Sequence, residues 1–362
     1  TVPENYDPYT RTDPLPLDWW ASSETLSTGD RRPQNFYVAS EADKMVESLN
    51  RAFARIAADD PGSGSSLGAN STRVDTDTRT YQAKFYNGTW RGELQAYTIN
   101  QSTGALVPSW QAAPLINAAA WASRPIYVHN PSGATPAEKH RLFTWDNLSS
   151  AQQTKLGTRD IVNYLRGDRS KEQEQANGTL RTRAGVLGDI VNSTPVYVGK
   201  PNGSLYLNAT FTGASAYDDF ALATAQANRT PMVYVGANDG MLHGFNGDTG
   251  AEVYAFVPNA SIQNGMKQLS DPEYEHRYFV DGEMAISDVY DTGSERWRTV
   301  LVGTMGRGGP GVFALDVTNP SSVQFLWERT AAEIPALGKN IGRPVIAQVA
   351  NGGWRVIFGK GA

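Results

Sequence analysis

The chain has 362 residues, 40% of them hydrophobic, which is enough for a large repeat fold or for more than one domain. Its 37 acidic and 32 basic residues leave a net charge of −5, with the Lys and Arg dispersed, so nothing marks a nucleic-acid footprint. Cysteine is absent, which excludes disulfides and thiolate metal sites within the chain, and no apolar run is long enough to span a bilayer.

Residues 1–34 are rich in Pro, Asp and Thr around the pair Trp19-Trp20 and read as extended and irregular. Residues 35–40, NFYVAS, read as a short strand. Ser40-Glu41-Ala42-Asp43 then resembles a capping box with Asp in place of Glu. Behind it Met45, Leu49, Ala52, Phe53 and Ile56 share one helical face, so an amphipathic helix is predicted over 41–57. Residues 59–72 contain DDPGSGSSLGAN and read as a flexible linker. From 73 onward the chain reads as one β-rich domain extending to 362.

The strongest pattern lies at 231–258, PMVYVGANDGMLHGFNGDTGAEVYAFVP. Three β-branched and aromatic runs are separated by Asn238-Asp239-Gly240 and by Gly247-Asp248-Thr249-Gly250. Asn, Asp and Gly accept the backbone angles that tight hairpin turns require. One such meander cannot bury its apolar face alone, and it recurs. VLVGTMGRGGPGVFALDVTNPSSVQFLW, at 300–327, repeats the order, and WRVIFGKGA, at 354–362, starts it again. NSTPVYV (192–198), MAISDVY (284–290) and RPVIAQV (343–349) supply a preceding strand for each copy. A weaker copy ends at Trp110. Four strands per unit at irregular spacing predict antiparallel β-propeller blades. The last copy stops in mid-blade, so the chain reads as an internal piece of a longer protein.

Between the weak copy and the regular blades, 124–130 and 142–145 read as further strands. A helix is expected over 149–165, with Leu156, Ile161, Val162 and Leu165 as its apolar side and Gly167 as its stop. Residues 170–183 read as a charged loop, and 217–229 as an inserted, partly helical excursion.

Chemistry-bearing motifs are few. His129, His140, His243 and His276 have no metal-ligand or triad spacing, and His243, inside a predicted strand, reads as structural. No nucleophile elbow, phosphate loop or zinc-protease motif is present. Asp239 and Asp248 are read as turn formers in preference to calcium ligands. Asp75-Thr76-Asp77 begins like a calcium loop but lacks the sixth-position Gly and the terminal acid. The site residues singled out therefore include no catalytic group and no metal ligand. Arg166-Gly167-Asp168 is the tripeptide that integrins read, which makes these three a receptor-binding candidate, against the plainer reading of Gly167 as a helix stop. The nine Trp are read as inter-blade packing.

Two resemblances follow from these strings. The strand and helix at 35–57 resemble the closing strand and helix of a von Willebrand A domain, whose metal-ion adhesion motif is not in this chain. The ordered strings IVNYLRGDRS (161–170), VLGDIVNSTPVYVG (186–199), VYVGANDGMLHGFNGDTG (233–250) and VLVGTMGRGGPGVFALDVT (300–318) resemble the PilY/PilC family of type IV pilus tip proteins. That resemblance implies a von Willebrand A-like region over 1–58, a linker over 59–72 and a quinoprotein-like propeller over 73–362. It implies pilus assembly, tip adhesion and twitching motility by protein binding, without enzyme activity. Partners would be minor pilins, other tip components and host-cell or surface receptors, with no nucleic acid. The place would be the cell surface at the pilus tip, or the periplasm or outer membrane of an exporting cell. No cofactor is expected in this chain; the family's calcium loop has no counterpart here. The alternative is a pyrroloquinoline-quinone dehydrogenase, whose blades these repeats also resemble. It would need a cofactor-lined channel with a catalytic Asp and bound calcium, and neither can be assigned.

Overall fold

The computed structural model describes residues 16–17, 21–25, 29–33, 63–69, 79–100, 103–349 and 353–362. The strand expected at 35–40 and the helix expected over 41–57, with the von Willebrand A-like reading they carry, lie outside the described residues. The chain divides into two compact units, Thr1–Pro61 and Gly62–Ala362. In the first, strand β1 (Ala21–Thr25) pairs antiparallel with β2 (Arg31–Pro33), so part of the stretch expected to be irregular is a hairpin.

The second unit is built from stacked antiparallel sheets. β3 (Ser63–Ala69), β4 (Arg79–Tyr86), β5 (Arg91–Ile99) and β6 (Leu106–Gln111) form the first. β3 corrects the linker reading over 63–69. Gly and Ser carry little strand propensity, but β4 offers an open edge, and β3 pairs along it from Ser63↔Phe85 to Ala69↔Thr80. β7 (Ile126–His129) and β8 (His140–Leu142) extend a sheet whose body is β9 (Val196–Val198), β10 (Met232–Gly236), β11 (Leu242–Asn246) and β12 (Glu252–Val257). The third blade is β13 (Met284–Asp291), β14 (Arg296–Thr304), β15 (Gly311–Asp316) and β16 (Gln324–Thr330). β17 (Val345–Gln348) and β18 (Trp354–Ile357) form a two-stranded sheet. These are β-propeller blades, and among the described residues they do not close a ring.

Side-chain alternation explains the stacking. In β10, Val233 and Val235 point to the first sheet, where they pack with Tyr81, Leu94, Ala96 and Trp110. Met232 and Tyr234, on the opposite face, pack with Leu301, Phe313 and Leu315 of the third blade. β14 repeats the arrangement: Leu301 faces the second blade, while Val300 and Val302 meet Ile346 and Val356 of the two-stranded sheet. A strand buried on both faces needs apolar residues at every position, which is why MVYVG and VLVGT carry no polar alternation.

Two local readings change. β7 joins the second blade in parallel, with Ala255↔Ile126 and Val257↔Val128, a pairing across more than a hundred residues that local sequence does not reveal. The helix expected over 149–165 is two helices, Ser150–Leu156 and Arg159–Arg166. Gly157 breaks it at φ 91°, and Thr158 caps the second helix by accepting from the Ile161 N–H. The excursion near 217–229 is helical at Tyr217–Leu222 and Thr224–Ala227, as expected. Of the tryptophans, Trp110 is wedged between two sheets, its indole N–H donating to the Gly247 carbonyl at 3.1 Å.

Candidate functional site

One group of buried charges gathers around the Asn238-Asp239-Gly240 turn. The turn closes with the Ala237 N–H donating to the Met241 carbonyl at 2.9 Å, and Gly240 sits at φ 93°, as the hairpin reading required. Asp239, however, does more than form a turn. One of its carboxylate oxygens accepts from the Gly188 N–H at 2.9 Å, the other from the Met241 N–H at 3.2 Å, and both lie within 3.2 Å of His243 Nε2. His243 Nδ1 lies 2.8 Å from Glu252. Glu252 in turn takes a bidentate pair from Arg124, at 2.7 and 2.8 Å. The chain Asp239–His243–Glu252–Arg124 thus ties the segment before β7, the second blade and the 186–190 segment together.

This network is structural. Burial alone would lower the pKa of His243, but the carboxylates of Asp239 and Glu252 outweigh it and raise the imidazole from 6.5 to about 9. Burial would raise Glu252, but Arg124 and then His243 pull it from 4.5 down to about 2. His243 is therefore a cation with both ring nitrogens donating to carboxylates, and it has no free lone pair with which to take a proton. The sequence reading of His243 as structural matches this geometry. The reading of Asp239 as a plain turn former is corrected, because the 186–190 segment folds onto the turn and makes its carboxylate an acceptor. Asp248, in the second turn, does lie at the surface, where it meets Arg79 at 2.7 Å.

A second polar cluster adjoins the first. Asp189 accepts from the Asn238 amide at 2.7 Å and lies 2.8 Å from His276 Nε2. The His276 ring stacks on Trp90 with centroids 3.7 Å apart. The Asn238 side-chain oxygen accepts from the Phe279 N–H, and Asp281 accepts twice from Asn192. The strings singled out at 186–199 and 233–250 are thus bound to each other, and to residues 276–281, by their polar residues. A hollow of about 20 Å³ between Trp90, Asp189, Asn238, Asp239 and Tyr274 has room for about one water. Among the described residues, no group of three or more His, Asp or Glu is placed to hold a metal ion.

His140 behaves oppositely to His243. It is buried beside Tyr254, whose hydroxyl lies 2.9 Å from Nε2; burial and then His129 depress it from 6.5 to about 4. The native state holds the His243 proton more tightly than the unfolded chain does. That contribution is complete below pH 6.5 and is lost as pH rises through about 9. The His140 contribution is complete above pH 6.5 and is lost as pH falls through about 4. Glu252 adds loss only below 4.5. Thermal unfolding followed against pH should therefore show His243→Gln flattening the alkaline limb and His140→Gln flattening the first part of the acid limb. An alkaline limb unchanged by His243→Gln would contradict the assignment.

The tripeptide Arg166-Gly167-Asp168 closes a helix. Gly167 has φ 117°, its N–H bonds the Tyr164 carbonyl, and the Asp168 N–H bonds the Asn163 carbonyl, a glycine-terminated helix end. Arg166 is 3% exposed. Its guanidinium donates to the carbonyls of Phe143, Trp121, Ala122 and Arg124. Against the receptor-binding reading stands Arg166, whose side chain the helix turns inward onto main-chain carbonyls. The sequence signal for this was Arg166 falling one turn after Val162 on the apolar side of the helix.

Among the described residues no helix is long and apolar enough to cross a membrane. A family profile described as the PilY1 beta-propeller domain matches residues 187–362. A type IV pilus biogenesis factor PilY1 homolog of Xylella fastidiosa (strain Temecula1) is 49% identical over 99% of this chain and 28% of its own length. The type IV pilus biogenesis factor PilY1 of Pseudomonas aeruginosa (strain PAK) is 36% identical over 90% of this chain and 29% of its own. The chain thus spans less than a third of the length of these relatives. The crystal structure of the Pseudomonas aeruginosa PilY1 C-terminal domain aligns at 39% identity over 46% of this chain and 31% of that one, with a TM-score of 0.37. Residues 187–362, which carry the second and third blades, belong to the PilY1 β-propeller family of the PilY/PilC proteins.

Proposed function

We propose that this chain is part of a type IV pilus biogenesis factor that acts at the pilus tip by binding other proteins, supporting pilus assembly, surface attachment and twitching motility. The observation that carries this reading is the 49% identity across 99% of the chain with a relative named for pilus biogenesis. Physical support comes from the blades. Their faces are consumed by one another, which leaves strand edges and turn loops for partners, and the buried ion network holds those loops rigid. Minor pilins and other tip components are the partners proposed, in an exported protein at the cell surface. Residues 1–58 are proposed to close a von Willebrand A-like region. Binding is preferred to catalysis because His243, Asp239 and Glu252 satisfy one another, so this network offers no free acid or base.

The test is genetic. Deleting the full-length gene should lower surface pili and twitching, and the intact gene should restore both. Normal piliation and motility in the deletion strain would overturn the reading.

A further inference from the structure

The loop after β14 carries a glycine-rich turn. The turn Gly306–Gly308 and the following Gly309 are packed so closely that side chains are excluded. A Cβ on Gly308 would lie 1.6 Å from the Phe279 carbonyl oxygen, and one on Gly309 would lie 2.3 Å from the Asn264 amide. Gly306, Gly308 and Gly309 are buried, and Arg307, the one side chain among the four, is exposed. The Gly308 N–H donates to Met305 and the Asn340 N–H to Gly306, so the turn is pinned on both sides. Arg307 donates to the Tyr278 hydroxyl at 3.3 Å and lies 5.2 Å from that ring, which steadies the guanidinium.

Arg307 borders a hollow of about 500 Å³ together with Arg277, Lys339, His276, Tyr278 and the amides of Gln263 and Asn264. Among the described residues, no carboxylate lines it. Among the described residues, Arg277, Arg307 and Lys339 have no acidic partner. Composition does not explain this, since the chain carries a net −5. The carboxylates are sorted into the hollows on either side. Asp271, Glu273 and Glu275 line the one that shares His276 and Arg277, and Asp281 and Glu283 line the one that shares Arg307.

We propose that this cationic hollow is a docking site for a short acidic segment of a polypeptide, whose carboxylates are engaged by Arg277, Arg307 and Lys339. The forked guanidinium matches a carboxylate with two parallel hydrogen bonds. Tyr278, Gln263 and Asn264 supply neutral donors and acceptors for a peptide backbone. A long uniform polyanion, such as a nucleic acid or a sulfated glycan, would have to cross the acidic hollows on either side and be repelled there. A short acidic stretch followed by neutral or basic residues would be favoured at all three. The inference rests on the charge arrangement alone and stands whether or not the partner is a pilus component.

Fluorescence anisotropy of a fluorescein-labelled hexaglutamate peptide with the purified chain tests it. Saturable binding at low salt is expected, weakened by added salt. The variant Arg277→Gln/Arg307→Gln/Lys339→Gln should lose about tenfold or more in affinity, while Lys155→Gln, an exposed cation of another helix, should leave it unchanged. An unchanged near-UV circular dichroism spectrum verifies folding; should the triple variant lose it, Arg307→Gln alone replaces it. Absence of binding at low salt, or equal affinity for the wild type and the cleft variant, would overturn the proposal. Tighter binding of a heparin oligosaccharide than of hexaglutamate, lost in the same variant, would overturn it in favour of a glycan.

Discussion

Glu252→Ala is expected to destabilise the propeller unit by about 3–5 kcal/mol, the range found when one partner of a buried ion pair is removed. Glu252 is the acceptor for the bidentate Arg124 pair and for His243 Nδ1, and all three side chains are buried. Without it two cations remain in the core with Asp239 as the nearest anion. Asp248→Ala, which removes the surface partner of Arg79, should cost no more than about 1 kcal/mol. Urea unfolding of the two variants separates the cases. A loss below about 1 kcal/mol for Glu252→Ala would show that water reaches the network and that it is not buried as described.

Arg166→Ala should also be damaging, costing about 2–3 kcal/mol, because it takes the guanidinium from the buried Phe143 carbonyl and from that of Ala122 and empties the space the side chain fills. Asp168→Ala should do far less. Its carboxylate accepts only from the Ser170 N–H, at the surface. An integrin-type ligand would give the reverse signature, with both substitutions abolishing cell binding and neither changing stability. Unfolding midpoints measured beside a cell-attachment assay distinguish the two. Unchanged stability in Arg166→Ala together with lost attachment would restore the tripeptide as a receptor site.

Much of the blade region was readable because its turns and strands speak locally. Asn238-Asp239-Gly240 and Gly247-Asp248-Thr249-Gly250 demand turns, and the runs between them have no other use than strands, so β10 to β16 fall where expected. What was missed depends on partners distant in sequence. β3 is a strand because β4 presents an edge to it, and β7 joins β12 in parallel; neither is written in its own residues. Asp239 and Asp248 occupy similar turns, and only the folding of 186–190 onto the first makes one a buried acceptor and the other a surface ion. The break between the two helices was written: Gly157 followed by Thr158 is a stop and a cap, obscured by an apolar face that continues across both.

If residues 187–362 carry the pilus function proposed above, their in-frame excision removes it. The full-length gene is replaced by an allele lacking the codons for residues 187–362 of this chain, the stretch matching the PilY1 family, and surface pilin is quantified after shearing, with an immunoblot to verify that the shortened protein accumulates. Surface pili are expected to fall to the level of the complete deletion while the shortened protein is present. Wild-type piliation from the excised allele would contradict it.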